Sequence, residues 1–170
     1  DVATYGYDQR LRLKAVREVL FERPPPQPSS ALDFGCGVGD FCSLLASYAD
    51  AVMGYDVAAD VIARAELCNP APNVSYVSRT DAVWARRFDV ILSITVLQHV
   101  VDDDEFQALL HRFAPALNPG GRIVVLETLA DAAQDAGYLK RRTLPQLVAA
   151  FAAAGLQPIS QRGFYHPTEC

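Results

Sequence analysis

Hydrophobic and polar positions change period several times along this chain, and the changes mark its elements. Over residues 8–22, Leu13, Val16, Val19 and Leu20 share one face of a 3.6-residue period while Arg10, Lys14 and Arg17 fall elsewhere, which predicts an amphipathic helix. The run RPPPQPSS at 23–30 cannot continue it, because successive prolines remove backbone donors and fix φ; it reads as a stiff connector. Beyond it, short apolar runs alternate with helical patterns. Strands are predicted at 30–34, 51–56, 73–78 and from 88 onward, with helices at 40–49, 58–68 and 102–117. A strand at 120–129 and a helix at 143–155 follow, the helix stopping at Gly155, a residue type that caps helix C-termini. Residues 156–166 predict a last strand.

The run FDVILSI from Phe88 is too hydrophobic for anything but the centre of a sheet covered on both faces. Strands alternating with helices predict an α/β fold: a three-layer α/β/α sandwich around a mainly parallel central sheet. Residues 1–28 form an N-terminal helix and its Pro-rich connector, and 29–170 form the main domain. There is no internal repeat.

Composition narrows the function. At 170 residues the chain has one domain's worth of core, and 51% hydrophobic with 21% charged residues fits a soluble globular protein. A net charge of −5 leaves no basic footprint for a phosphate backbone, so no nucleic-acid partner is expected. No apolar stretch is long enough to span a bilayer, and no membrane partner is expected. Cys36, Cys42, Cys68 and Cys170 are scattered, without a C-x-x-C pair, which argues against a metal site or a disulfide framework and for a reducing cytoplasm.

The densest chemical signal is LDFGCGVGD at 32–40. Gly35 and Gly37 can take backbone angles closed to other residues and let a ligand approach bare main chain, and Gly39 lets the next helix pack closely. The turn after a first strand is where open α/β sheets bind ligands. A dinucleotide fingerprint would put its third glycine at 40, but position 40 is Asp, an unwelcome charge where pyrophosphate would meet a helix N-terminus. The pattern is D-x-G-x-G-x-G, and Asp33 suits a ligand with an ammonium group and no phosphate.

On these residues the chain resembles the class I S-adenosylmethionine-dependent methyltransferases. The likeness runs from about residue 30 to 129: LDFGCGVGD, then GYDVAADVIARA (54–65), RTDAVW (79–84), FDVILSITVLQHV (88–100) and LNPGGRIVV (117–125). It implies that Asp56 accepts hydrogen bonds from the ribose hydroxyls. Asp81 would take the adenine amino group, and Ala82 would offer a backbone NH to the ring. Cys36, Val57 and Ile94 complete the implied cofactor positions together with Asp33, Gly35 and Gly37. Read without the family, Asp56 is an acid ending a strand and Asp81 a turn residue. In the family a segment before the first strand often folds over the cofactor, which makes residues 1–28 a lid; Tyr5, Tyr7 and Arg10 are its candidates, with Arg10 pairing the cofactor carboxylate. The same residues also read as the start of a surface helix.

Methyl transfer from a sulfonium asks the protein chiefly to position and desolvate the acceptor. A general base matters when the acceptor keeps its proton at neutral pH, and His99, just beyond the fourth strand, is the candidate. His recurs there in family members with different acceptors, so a structural role stays open. His111 reads as a packing or surface residue, and His166 with Phe164 and Tyr165 as a possible pocket edge. The acids Asp102 to Glu105 have the spacing of a helix cap rather than of a metal site. The family usually ends with a sixth strand and an antiparallel seventh, so the C-terminal hairpin is expected to be reduced or truncated. Residues 129–142 are the loop available for acceptor specificity, and the pocket is expected to be either open or completed by a second domain or chain. The expected activity is transfer of a methyl group to oxygen or nitrogen of a small molecule. The rivals are a cofactor-binding module without turnover, a nicotinamide-dependent oxidoreductase, and a methyltransferase acting on protein or RNA.

Overall fold

A computed structural model of the chain describes residues 2–22 and 30–163, with side chains from residue 8 onward in the first segment. The side chains of Tyr5 and Tyr7, and residues Phe164, Tyr165 and His166, lie outside the described residues. The elements follow the predicted alternation: α1 (Val2–Glu22), β1 (Ser30–Phe34), α2 (Asp40–Ala46), β2 (Ala51–Tyr55), α3 (Ala59–Cys68), β3 (Val74–Val77), α4 (Thr80–Trp84) and β4 (Phe88–Ile94). A 3-10 turn at Leu97–His99 leads to α5 (Asp103–Ala116), β5 (Leu117–Leu126), the two-residue strands β6 (Gln134–Asp135) and β7 (Lys140–Arg141), and α6 (Leu144–Ala153).

The five long strands form one sheet in the order β3-β2-β1-β4-β5, with every neighbouring pair parallel. The chain steps outward from β1 to β3 and then returns to β4. Strand order therefore reverses between β1 and β4, and a crevice opens at their carboxyl ends. Alternation along each strand sends side chains to two cores. Ala31, Val52, Val90 and Leu92 meet Val16 and Leu20 of α1 and Phe41, Cys42 and Leu45 of α2. Leu32, Met53 and Ile91 meet Val83 of α4 and Phe106, Leu110 and Phe113 of α5 on the other face. This is the expected three-layer sandwich around a parallel sheet.

Local chemistry fixes the helix starts. Asp102 accepts a hydrogen bond from the Glu105 amide at 2.9 Å as the cap of α5, so the acidic run is a cap, and Asp103 within it pairs with Lys140 and Arg142. Thr143 and Gln146 form a reciprocal capping box at α6; such a cap contributes about 1 kcal/mol. His111 is exposed in α5 beside Gln107, as expected of a surface residue.

Three expectations change. RTDAVW, expected as a loop, contains the single-turn helix α4. Residues 129–142 carry the antiparallel ribbon β6–β7. Among the described residues 156–163 form no strand: Pro158 removes an amide there, and Ile159 is exposed. No helix among the described residues is long and apolar enough to cross a membrane.

Candidate functional site

β1 ends at Phe34, and the amides of Gly35 and Cys36 both donate to the Tyr55 carbonyl at 2.7 and 2.8 Å, which bends the chain over the end of β2. Gly35, Gly37 and Gly39 all have positive φ, at 77°, 54° and 89°. Their surroundings differ. A Cβ on Gly35 would lie 2.3 Å from Val96 Cγ2, and one on Gly39 would lie 2.3 Å from the Tyr76 hydroxyl. At Gly37 no heavy atom lies within 4 Å of the added carbon. Two glycines thus admit the protein's own side chains, and Gly37 alone of the three faces open space where a ligand backbone contact can form. Gly39 makes room for Tyr76 of β3 rather than for its own helix.

Asp56, just past β2, spans this loop. Its Oδ2 accepts from the Gly37 amide at 3.0 Å and its Oδ1 from the Ala58 amide at 3.1 Å. The carboxylate is half-buried and held in one orientation at the crevice mouth. Val57 beside it is 80% exposed, a large apolar side chain left open to solvent on the same rim. Cys36 is buried, its thiol directed at the Gly37 carbonyl at 3.5 Å. Ile94 is buried at the end of β4.

Asp33 sits differently from the expectation of an acid exposed to the ligand. It is 1% exposed beneath the loop, where the Cys42 thiol donates to it at 3.3 Å. Burial pushes its carboxyl up to about 7, the thiol bond opposes this, and the nearby Asp56 and Asp40 add to the rise. Asp81 lies in the first turn of α4, exposed, and takes Arg79 Nε at 3.0 Å. That ion pair holds its carboxyl below the usual range. Ala82 follows it, half-buried.

α1 lies against the glycine loop. Gln9 Nε2 donates to Asp40 Oδ2 at 2.9 Å, and Asn69 Nδ2 donates to the Val38 carbonyl at 2.7 Å from the other side. Arg10 is exposed in the same turn of α1 as Gln9. Neither Gln9 nor Asn69 carries a motif that sequence reasoning could have used.

On the β4 side, Thr95 has a left-handed backbone, φ 56°, the one positive φ outside glycine among the described residues. The 3-10 turn that follows carries His99, which is exposed. Beneath it is a residue the sequence did not single out. Glu127, just past β5, accepts from the amides of Val96, Leu97 and Gln98 at 2.9, 2.8 and 3.3 Å. Burial pushes its carboxyl up to about 7 despite those three bonds and the nearby Arg142. A hollow of about 10 Å³ beside it is lined by Gln98, Thr128, Leu129 and Lys140 among others. A larger hollow, about 420 Å³, lies at the opposite end of the sheet, by Ser30, Asp50 and Arg86. Open α/β sheets bind at the carboxyl ends, so the crevice and not that hollow is the candidate.

Comparison with known proteins bears on family and fold. The family model described as a methyltransferase domain matches residues 5–163. Over 98 residues the chain is 36% identical to the ubiquinone biosynthesis O-methyltransferase of Bradyrhizobium sp. (strain ORS 278), covering 55% of this chain and 38% of that one. Over 107 residues it is 32% identical to a dTDP-3-amino-3,6-dideoxy-alpha-D-glucopyranose N,N-dimethyltransferase of Streptomyces fradiae, covering 62% and 42%. It thus spans about two fifths of the length of these relatives. A SAM-dependent methyltransferase structure from Leishmania major superposes with a TM-score of 0.78 at 17% identity, over 89% of this chain and 64% of that one. With a parallel sheet whose order reverses beside a triple-glycine turn, and a family match over nearly its whole length, this chain belongs to the methyltransferase domain family.

Proposed function

We propose that the domain binds S-adenosylmethionine at the crevice between β1 and β4 and transfers its methyl group to an oxygen or nitrogen of a small-molecule acceptor. The observation that carries this reading is Gly37, left-handed and open to solvent, with its amide held by Asp56. A nucleoside can lie against main chain there while the Asp56 carboxylate accepts from its hydroxyls. Two relatives whose names specify an O-methyltransferase and a sugar N,N-dimethyltransferase support the acceptor class.

When bound, S-adenosylmethionine supplies a methyl group on a cationic sulfur, with a neutral thioether as leaving group. The chain's own residues then have separable tasks. Asp56 and the amide of Ala82 orient the nucleoside, and Asp81 would exchange Arg79 for the adenine amino group. Asp33 places negative charge under the loop, where low dielectric strengthens its pull on a cation without direct contact. Arg10, with Tyr5, would meet the methionine carboxylate, consistent with Gln9 reaching Asp40 from the same turn of α1. His99 would remove the proton of a hydroxyl acceptor, a task that contributes about 10²–10⁴-fold where it is needed.

One observation favours a second reading, binding without turnover by the domain alone. The hollow beside Glu127, lined by Gln98, Leu129 and Lys140, is small, and in this reading a further segment or chain completes the acceptor pocket. Titration calorimetry with S-adenosylmethionine and S-adenosylhomocysteine tests the common element. Transfer of labelled methyl to a panel of phenols and amino sugars then separates the two readings. Absence of binding by folded protein would overturn both.

A further inference from the structure

We propose that Glu127 is a positioning residue that sets the segment 95–100 and, through it, both walls of the crevice. The inference rests on the proposed function for its meaning, but its geometry stands alone. A single carboxylate collects three consecutive amides, those of Val96, Leu97 and Gln98. Charge-assisted bonds of this kind are about twice as strong as neutral ones. They hold a chain that has just passed through the left-handed Thr95, a conformation that β-branched residues adopt only when their surroundings impose it.

Both ends of the segment transmit that placement. Val96 fills the space over Gly35, close enough that any Cβ there would collide with it, so the position of Val96 defines one side of the glycine loop. Three residues on, the 3-10 turn ends at His99, which is exposed. From the opposite side Arg142 donates to the carbonyls of Leu97 and Val100, at 3.4 and 3.0 Å, and stacks over the Phe106 ring. Arg142 is itself held by Asp103, which Lys140 also pairs. The segment is therefore gripped by an anion at its amides and by a cation at its carbonyls. The anion comes from the end of β5 and the cation from the end of the β6–β7 ribbon.

The charged groups around Glu127 are Arg142 and Lys140 from the ribbon, both paired with Asp103 of α5, while His99 ends the 3-10 turn whose amides Glu127 holds. Protonating Glu127 removes the charge that its three amide donors face. Below neutral pH the segment should loosen, and cofactor affinity should fall with it. Asp33 titrates in the same range, but its contribution is common to wild type and to Glu127 variants and cancels between them.

The test uses Glu127→Gln, which keeps shape and one acceptor oxygen, and Glu127→Ala, which keeps neither. Amide hydrogen exchange of peptides covering 95–100 reads the grip directly, and S-adenosylhomocysteine titrated at pH 5.5 to 8.5 reads its consequence. Expected are faster exchange over 95–100 in both variants, greater in Glu127→Ala, and S-adenosylhomocysteine affinity at least threefold weaker than wild type at pH 8. In Glu127→Gln that deficit should shrink toward pH 5.5. Wild-type exchange over 95–100 in Glu127→Gln, or a constant affinity ratio across pH, would overturn the proposal. If wild type itself binds no S-adenosylhomocysteine, the proposed function fails, while unchanged exchange in folded Glu127→Gln is the outcome that defeats the positioning role. Should Glu127→Ala not fold, Glu127→Gln alone decides.

Discussion

The Gly37 amide donates to Asp56 Oδ2 at 3.0 Å, tying the middle of the glycine turn to the acid that ends β2. Loop shape and the proposed ribose acceptor are therefore one arrangement, and a change in either is felt by the other.

Asp56→Ala should weaken S-adenosylhomocysteine binding by about 1–3 kcal/mol, the scale of hydrogen bonds to a charged group. Titration calorimetry measures it. Affinity equal to wild type would remove Asp56 from the site.

The glycines predict a contrast. Gly37→Ala meets no neighbour and carries only the left-handed backbone cost, about 1–2 kcal/mol, yet it should abolish tight cofactor binding because the new methyl group occupies the ligand's approach. Gly35→Ala adds a collision with Val96 and should cost roughly 2 kcal/mol or more in unfolding free energy. Urea denaturation beside calorimetry separates the two outcomes. Equal stability losses, or retained affinity in Gly37→Ala, would contradict the assignment.

The pH dependence follows from Asp33. Its carboxyl is raised to about 7 by burial, so between its unfolded value and 7 the folded state binds more protons than the unfolded one. Stability from this group is full in acid and is lost as pH rises through 7, on the order of 4 kcal/mol in all. Asp33→Asn should therefore gain stability relative to wild type at pH 8 and not at pH 4. Binding of a cation above the loop favours the ionised form, so wild type should release a fraction of a proton on binding S-adenosylmethionine near pH 7. Calorimetry in buffers of different ionisation enthalpy reads that release, and Asp33→Asn should lack it.

His99→Ala should lower turnover on a phenol by about 10²-fold while leaving S-adenosylhomocysteine affinity within twofold. Turnover equal to wild type would leave His99 a structural residue of the 3-10 turn.

The fold was legible in the sequence wherever burial was extreme. β1, β2 and β4 are apolar runs bounded by turn residues, and only a covered parallel sheet accepts them. α4 was not legible because five residues give less than two turns and no period, and the ribbon strands are two residues each. The strand expected at 156–166 does not form over the described residues 156–163, where Pro158 lacks an amide to donate. At the site, the left-handed turn was readable from the spacing of Gly35, Gly37 and Gly39, whereas Asp56 was singled out only by the family resemblance. Asp33 was read as facing the ligand because sequence gives an acid's position but not its depth. Glu127 looked like any acid ending a strand; only folding brings three amides onto it.

Arg142 closes the β6–β7 ribbon and grips the carbonyls of the crevice segment, while the ribbon itself stands largely exposed with Tyr138 at its tip. That division gives a natural splice boundary for engineering. Residues 130–139 can be exchanged without touching the Arg142 bonds to Leu97 and Val100, whereas a graft that runs on through Arg142 would disturb the crevice segment as well.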